Sequence, residues 1–192
     1  LLWMDRVFVF QFMLSRPVVM GAVLGSVMGD TATGLLVGMS LELLWLSAPP
    51  VGAYLPNDES FCTAVCVPVA VVASHHLDAP AAAGLAVLVC LPCSIAGRFL
   101  DMKIRTLNEG LLGGRDHSPA EHLAGAVGAS LARAYALAVV SIGALTAALG
   151  LVADVVSSHM PRFFVWALWG VPLACVVGGL ASLVGQSRPR AA

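Results

Sequence analysis

Glu42 is the residue in this chain whose chemistry most needs an explanation. It lies in the apolar run 38–46, which contains no lysine, arginine or histidine to balance its charge. An ionisable group inside a bilayer is costly, so it is retained where it faces a cavity, a polar partner or a substrate. We therefore treat Glu42 as a candidate substrate-binding residue. The alternative is a structural carboxylate that bonds to backbone or to another subunit.

Other polar residues interrupt the apolar sequence on both sides of Glu42. Carboxylates and amides suit sugar hydroxyls, because they form several hydrogen bonds in one plane. The same groups carry protons or sodium ions in other transporters, so the residue types leave a sugar site and an ion-coupled carrier both open. For Asp58 the alternative is a helix cap, a role that falls either to Asp58 or to Ser60. The further candidates are Gln11, Arg16, Asp30, Asn57 and Asp58.

The sequence lacks the common signatures of catalysis and of bound cofactors. It contains no phosphate-binding loop and no nucleophile elbow. Its five histidines are scattered in loops or near charged residues, and its five cysteines all lie in apolar runs, as small hydrophobic residues do. A net charge of −1 provides no basic excess for nucleic acid. We predict no catalytic residue, no metal site, no cofactor and no nucleic-acid partner.

The composition indicates that membrane helices must position the polar residues. Hydrophobic residues occupy 59% of the 192 positions and charged residues only 11%, against about 25% charged in soluble domains. The mean hydropathy is +0.90. Charges are dense in 98–122, whereas 60–97 and 134–186 are almost free of them. This segregation is typical of a polytopic membrane protein in a lipid bilayer, so the predicted fold class is all-α.

Short, glycine-interrupted helices are predicted on either side of Asp30. Gly21, Gly25 and Gly29 repeat every four residues, and further glycines follow at 34 and 38, a pattern that favours close helix packing. Neither 18–29 nor 31–46 reaches the ~20 residues of a full span. We therefore predict a re-entrant hairpin or a broken helix. The proline-rich stretch 47–60 that follows cannot form a regular helix.

The charge distribution predicts the topology of the second half. The segment 98–122, interpreted as amphipathic and loop-like, carries four of the ten lysine and arginine residues. The positive-inside rule places it and the basic C-terminus in the cytoplasm. An even number of crossings must then separate them, and two candidates fit, about 134–153 and 162–186, with 154–162 as the outer turn. We predict a single membrane domain, 1–192, whose residues 1–59 carry the hairpin and broken-helix motifs.

Four short motifs in a fixed order resemble a known family. They are Gln-Phe-Met-Leu-Ser-Arg-Pro at 11–17, Gly-Asp at 29–30, Leu-Glu at 41–42, and a Gly-Ala-x-x-Pro turn at 52–58 that ends in an acidic residue. In this order they are similar to the membrane subunit IIC of mannose/sorbose-type sugar phosphotransferase systems. Arg98, Asp101 and Asn108 are similar to the basic central segment of that family. The strong match covers about 5–60.

The resemblance implies a permease subunit in the bacterial inner membrane. IIC would pair with a IID membrane subunit and pass a sugar, which the cytoplasmic IIA and IIB phosphocarriers would phosphorylate. It makes Glu42, Asn57 and Asp58 candidates for hydrogen bonds to sugar hydroxyls, with Gln11 as a weaker one, whereas Asp30 would orient the hairpin. A homo-oligomer stays open, because the glycine stripe favours tight helix contacts.

The chain is shorter at both ends than the family it resembles. We therefore expect either a truncated protein or a member of a reduced branch. Two other classes of function stay open at this point. One is an ion- or proton-coupled carrier of small solutes, which the intramembrane carboxylate motivates. The other is a non-transporting regulatory subunit, which the short chain motivates.

Overall fold

The described part of the protein is entirely helical. A computed structural model describes residues 13–46, 57–112 and 120–187, and these residues contain helices and no β-strand. This confirms the predicted all-α class. The seven helices are α1 (Pro17–Val27), α2 (Thr31–Trp45), α3 (Glu59–Ala73), α4 (Ala79–Cys90), α5 (Cys93–Leu112), α6 (Ala120–Ser158) and α7 (Arg162–Ser187).

A tight turn at Gly29 and Asp30 joins α1 to α2. Gly29 has a φ of +84°, a left-handed conformation that glycine adopts without steric cost. The Gly29 N–H donates to the Ser26 carbonyl at 3.2 Å, and the Asp30 N–H donates to the Gly25 carbonyl at 2.9 Å. These two bonds form a Schellman motif that ends α1. The Asp30 carboxylate then starts α2 by accepting a bond from the Thr33 N–H at 3.0 Å.

Glycines allow α1 and α2 to pack backbone against backbone. A Cβ atom at Gly21 would lie 2.9 Å from Gly38 Cα, and one at Gly34 would lie 2.7 Å from Gly25 Cα. Any larger side chain would therefore push the helices apart. At 1.5 Å per residue, helices of 11 and 15 residues are roughly 16 and 22 Å long, short of a hydrocarbon core of about 30 Å. The pair is the short hairpin that the glycine pattern predicts.

Helix α3 lies at the centre of the fold. It packs against α1, α2, α4, α5 and α6, and Cys62, Val65, Cys66 and Val69 are fully buried on it. Small and β-branched side chains let several neighbours approach the same helix, and Phe61 is the large side chain that α3 buries fully in this dense core.

A break at Leu91 and Pro92 separates α4 from α5, and the two helices are bent by 47°. Proline at this position prevents the helix from continuing, so the apolar sequence before α5 is divided here. The prediction that 98–122 is loop-like is wrong as far as Leu112, because α5 continues to that residue. Its charged residues at i, i+3 and i+4 spacing give an amphipathic helix instead.

Helices α6 and α7 are long and apolar enough to cross a membrane. The spans are Gly125–Ser158 and Arg162–Val184, and the bent α4–α5 pair would be a third if it counts as one span. They contain the two segments predicted as C-terminal crossings, but α6 begins well before residue 134. Further along α6, Arg133 Nη1 donates to the Leu107 carbonyl of α5 at 3.0 Å.

The helices define two ends of the molecule. The turn end comprises the turn 29–30, the loop 74–78 and the turn 159–161. Here His76 Nε2 lies 3.1 Å from Asp154 Oδ1 of α6. The α5 end comprises the start of α1, the end of α2, the start of α3 and the α4–α5 break. Here the Ser60 hydroxyl donates to the Ser15 carbonyl at 2.9 Å.

Candidate functional site

Glu42 has a basic partner that the local sequence does not reveal. Arg16 Nη1 lies 3.2 Å from Glu42 Oε1, and the two side chains are 46% and 21% exposed. This partner lies outside the apolar run 38–46, 26 positions earlier in the chain. The α1–α2 hairpin brings the two residues together, because it places the end of α2 beside the start of α1.

The Glu42 carboxylate also contacts the first turn of α1. Its Oε2 atom lies 3.5 Å from the Val18 N–H, one of the amides that an α-helix leaves without an internal acceptor. Helix α1 has no acidic residue in its own first turn, and its N-cap residue, Arg16, makes no capping bond. A negative charge at a helix N-terminus is favourable. Glu42 thus supplies from α2 the carboxylate that α1 lacks, which favours the structural alternative without occupying every acceptor site of the group.

Asp58 is buried and caps α3. It is 6% exposed, and its Oδ1 atom accepts a bond from the Phe61 N–H at 2.9 Å. Its own N–H donates to the Ser94 carbonyl of α5 at 3.0 Å. A Cβ atom at Gly97 would lie 2.7 Å from Asp58 Cβ, so this glycine is what lets α5 lie against the cap. The helix-cap alternative for Asp58 is what the structure contains.

The predicted site residues are distributed unequally. A short series of contacts relates Glu42 to Asp58. Glu42 pairs with Arg16. The residue before Arg16 is Ser15, whose carbonyl accepts a bond from Ser60, two residues after Asp58. Both carboxylates therefore lie at the α5 end. Asn57 is half-buried immediately before Asp58. Gln11 lies outside the described residues.

Asp30 lies at the opposite, turn end of the hairpin. Burial acts to raise the pKa of its carboxyl, but hydrogen bonds from Thr33 and the proximity of Ser74 and His75 outweigh it, so the pKa lies below the ordinary 3.8. Since a depressed pKa favours the folded state above pH 3.8, this support is lost as the pH falls below that value. Asp30 thus caps α2 at the turn of the hairpin.

Helix α5 carries a polar row that was not among the predicted site residues. Arg98, Asp101, Arg105 and Asn108 share one face by their spacing, and Arg105 pairs with Asp101 Oδ2 at 3.1 Å. Arg98 Nε, Asp101 Oδ1 and Asn108 Oδ1 are buried without a hydrogen-bond partner. A buried polar atom without a partner costs about 1–3 kcal/mol, so this row is suited to a polar ligand or partner. The i, i+3, i+7, i+10 spacing was the available signal in the sequence.

The cysteines are part of the packed interior. All five are free and buried. Within 13–46, 57–112 and 120–187, no group of three or more His, Cys, Asp or Glu side chains is arranged to hold a metal ion.

These features define a polytopic α-helical membrane protein in which a short glycine hairpin and a bent helix pair gather polar residues at one end. The model of the family described as the sorbose-specific IIC component of the phosphotransferase system (PTS) matches residues 1–185. The chain belongs to this family.

The curated relatives of this chain have a sugar in their names. The chain is 28% identical over 181 residues to the sorbose-specific EIIC component of Klebsiella pneumoniae, covering 92% of the chain and 64% of that relative. It is 27% identical over 97 residues to the mannose-specific EIIC component of Escherichia coli K12, covering 50% of the chain and 34% of the relative. Over 45 residues it is 51% identical to the putative N-acetylgalactosamine permease IIC component 2 of the same organism, covering 23% of the chain and 34% of the relative.

The fold is also present in a solved structure. A chain described as "Structure of membrane protein" matches with a TM-score of 0.71 at 21% identity, over 98% of this chain and 75% of its own length. At this identity the match shows a shared fold. The chain spans less than two thirds of the length of each of the three curated relatives.

Proposed function

We propose that this chain is the membrane permease subunit IIC of a mannose-type sugar phosphotransferase system in a bacterial inner membrane. It binds and passes a sugar, which a partner IIB subunit phosphorylates after IIA has supplied the phosphoryl group, and it pairs with a IID membrane subunit. The observation that carries the proposal is the family match over 1–185. The sugar-specific names of its relatives add to it.

The polar groups at the α5 end are the proposed sugar site. Glu42 is 21% exposed beside a guanidinium, so it retains acceptor sites for hydroxyl groups, and a carboxylate paired with arginine binds hydroxyls without leaving a net charge. Asn57 supplies an amide. Asp58 caps α3, and its N–H donates to the Ser94 carbonyl, which holds the start of α3 against α5. Gln11 stays a proposed contact of the same sugar.

The proposed topology puts this site near the cytoplasmic side. If 98–122 and the C-terminus are cytoplasmic, the α5 end faces inward and the turn end faces outward. A Cβ atom at Gly179 would lie 2.9 Å from the Leu43 carbonyl carbon, so Glu42 lies close to the level of Gly179. That residue is about 25 Å along α7 from Arg162. A sugar held there would be close to the compartment of the IIB subunit.

The test is sugar uptake by vesicles that contain the chain with its IIA, IIB and IID partners. We expect Glu42→Gln and Asn57→Ala each to lower uptake by about tenfold, the cost of one strong hydrogen bond to a substrate. Glu109→Gln is the matched control, because Glu109 is an exposed glutamate on α5. Normal uptake by both site variants would remove the proposed site, and uptake without IIB would remove the proposed class.

A purely structural role for Glu42 has a different signature. Arg16→Gln and Glu42→Gln would then lower thermal stability to the same extent and leave the KM for the sugar unchanged. A direct contact with sugar instead raises the KM in Glu42→Gln more than in Arg16→Gln. For the alternative, an ion- or proton-coupled carrier, uptake would collapse with an uncoupler and persist without IIB.

A further inference from the structure

A cavity lies at the turn end, far from Glu42. It has a volume of about 200 Å³ and is lined by Asp78, Arg162, Val165, Trp166 and Trp169. An acidic and a basic residue thus line one small cavity together with two indole rings. The function proposed above uses none of these residues.

The charges in this cavity have no partners within the described structure. Asp78 occupies the N-cap position of α4, but its side chain makes no capping bond, unlike Asp30 and Asp58, which both cap their helices. No ion pair or side-chain hydrogen bond joins Asp78 or Arg162 to another described residue. Elsewhere at this end such a pair is present, because His76 contacts Asp154. The cavity therefore presents one negative and one positive group, each with its hydrogen-bonding capacity unused.

The position of the cavity indicates a lipid-facing site. Arg162 is the first residue of the apolar span Arg162–Val184, and the two tryptophans follow within two turns. Tryptophan is enriched at the level of lipid headgroups, where one end of the ring is apolar and the other is wet. Trp166 is 74% exposed, and Leu173 and Val177 are exposed further along the same helix. An apolar surface for an acyl chain thus leads away from the charged cavity.

We propose that this cavity binds the headgroup of a zwitterionic phospholipid, phosphatidylethanolamine. The phosphate accepts hydrogen bonds from the Arg162 guanidinium, whose planar fork suits it. The ammonium donates to the Asp78 carboxylate, and an acyl chain follows Trp166 and the apolar face of α7. A neutral sugar has no charged group to pair with either residue, and an anionic headgroup would leave Asp78 facing a like charge.

The test measures lipid binding by the delipidated chain in mild detergent, using native mass spectrometry. The probes are short-chain phosphatidylethanolamine and short-chain phosphatidylglycerol with the same acyl chains. We expect the wild-type chain to bind the ethanolamine lipid roughly tenfold more tightly, because only that lipid pairs with both charges.

Two variants separate the contributions of the two charges. Asp78→Asn is expected to abolish the preference between the lipids, because it removes the group that distinguishes them. Arg162→Gln is expected to weaken both lipids by about the same factor, since both carry the phosphate. Asp154→Asn is the matched control: it removes an exposed carboxylate at the same end but outside the cavity. Asp78 and Arg162 are exposed and Asp154 is half-exposed, so folding should not depend on these side chains.

Several outcomes would overturn the proposal. They are equal binding of the two lipids by the wild-type chain, a loss of preference in Asp154→Asn as large as in Asp78→Asn, and displacement of the lipid by a free hexose. Equally tight binding of glycerophosphoethanolamine, which has no acyl chains, would contradict the role of the tryptophan surface. The binding test needs no sugar uptake, so its result is independent of the proposed transport function.

Discussion

Replacing Gly38 with alanine tests whether backbone contact between α1 and α2 holds the site together. The added Cβ would lie 2.9 Å from Val18 Cα and would also meet the Pro17 carbonyl group. Real Cβ atoms do not approach backbone so closely, and backbone cannot rotate away as a side chain can. The hairpin must therefore open, and overpacking of this kind costs about 1–3 kcal/mol.

The same movement has a second effect that stability alone does not report. Gly38 lies one turn before Glu42, and it contacts the start of α1, where Arg16 and Val18 bind the carboxylate. Opening the helices at Gly38 therefore lengthens both contacts. We expect Gly38→Ala to lower the unfolding temperature by several degrees, on a scale of about 2–4 °C per kcal/mol, and to lower sugar uptake by the surviving folded protein.

The measurement is thermal unfolding in detergent, paired with uptake in vesicles. Gly143→Ala is the matched control, because no atom lies within 4 Å of the Cβ position at Gly143 on α6. That change should be neutral or slightly stabilising, since alanine is the better helix former. If Gly38→Ala unfolds at the same temperature as Gly143→Ala, the glycines do not hold the hairpin closed and the reasoning fails.

Three further changes test other contacts. Asp58→Ala should destabilise the protein by about 1–2 kcal/mol through the lost cap, measured by thermal unfolding. Asp58→Asn should retain most of the stability, and equal losses in the two variants would contradict capping. A double-mutant cycle of Arg16→Gln and Glu42→Gln should give a coupling of about 0.2–1 kcal/mol, because the pair is partly exposed, and zero coupling would contradict the ion pair. A membrane-impermeant maleimide should label Arg105→Cys only after inside-out vesicles are made and His159→Cys only in right-side-out vesicles. The five buried native cysteines should give little background, and the reverse pattern would invert the topology.

Local steric and capping patterns were readable from the sequence. Glycines four residues apart predicted the hairpin, because a stripe without side chains has few uses other than close packing. Asp58 was recognised as a possible cap, since an aspartate just before an apolar run is the usual start of a helix. Both features depend on residues within a few positions of each other.

Contacts between distant segments were not readable. Arg16 was among the polar residues noted, but pairing it with Glu42 requires the register of α1 against α2, which the glycines set only in three dimensions. The helical state of α5 was missed because its charges suggested a loop. Arg98, Asp101 and Arg105 nevertheless have helical spacing, and weighing that spacing above the charge content would have corrected the interpretation.

The length of α6 has a mechanical consequence. Its 39 residues make a rod of roughly 58 Å, nearly twice the thickness of the hydrocarbon that it crosses, and no ordinary tilt hides the difference. One or both ends of the rod therefore extend beyond the hydrocarbon. Its neighbours hold the rod at separate levels: Arg133 donates to the Leu107 carbonyl of α5, α3 packs against it, and Asp154 contacts His76 at the turn end. Helix α6 thus splints the helices that it touches.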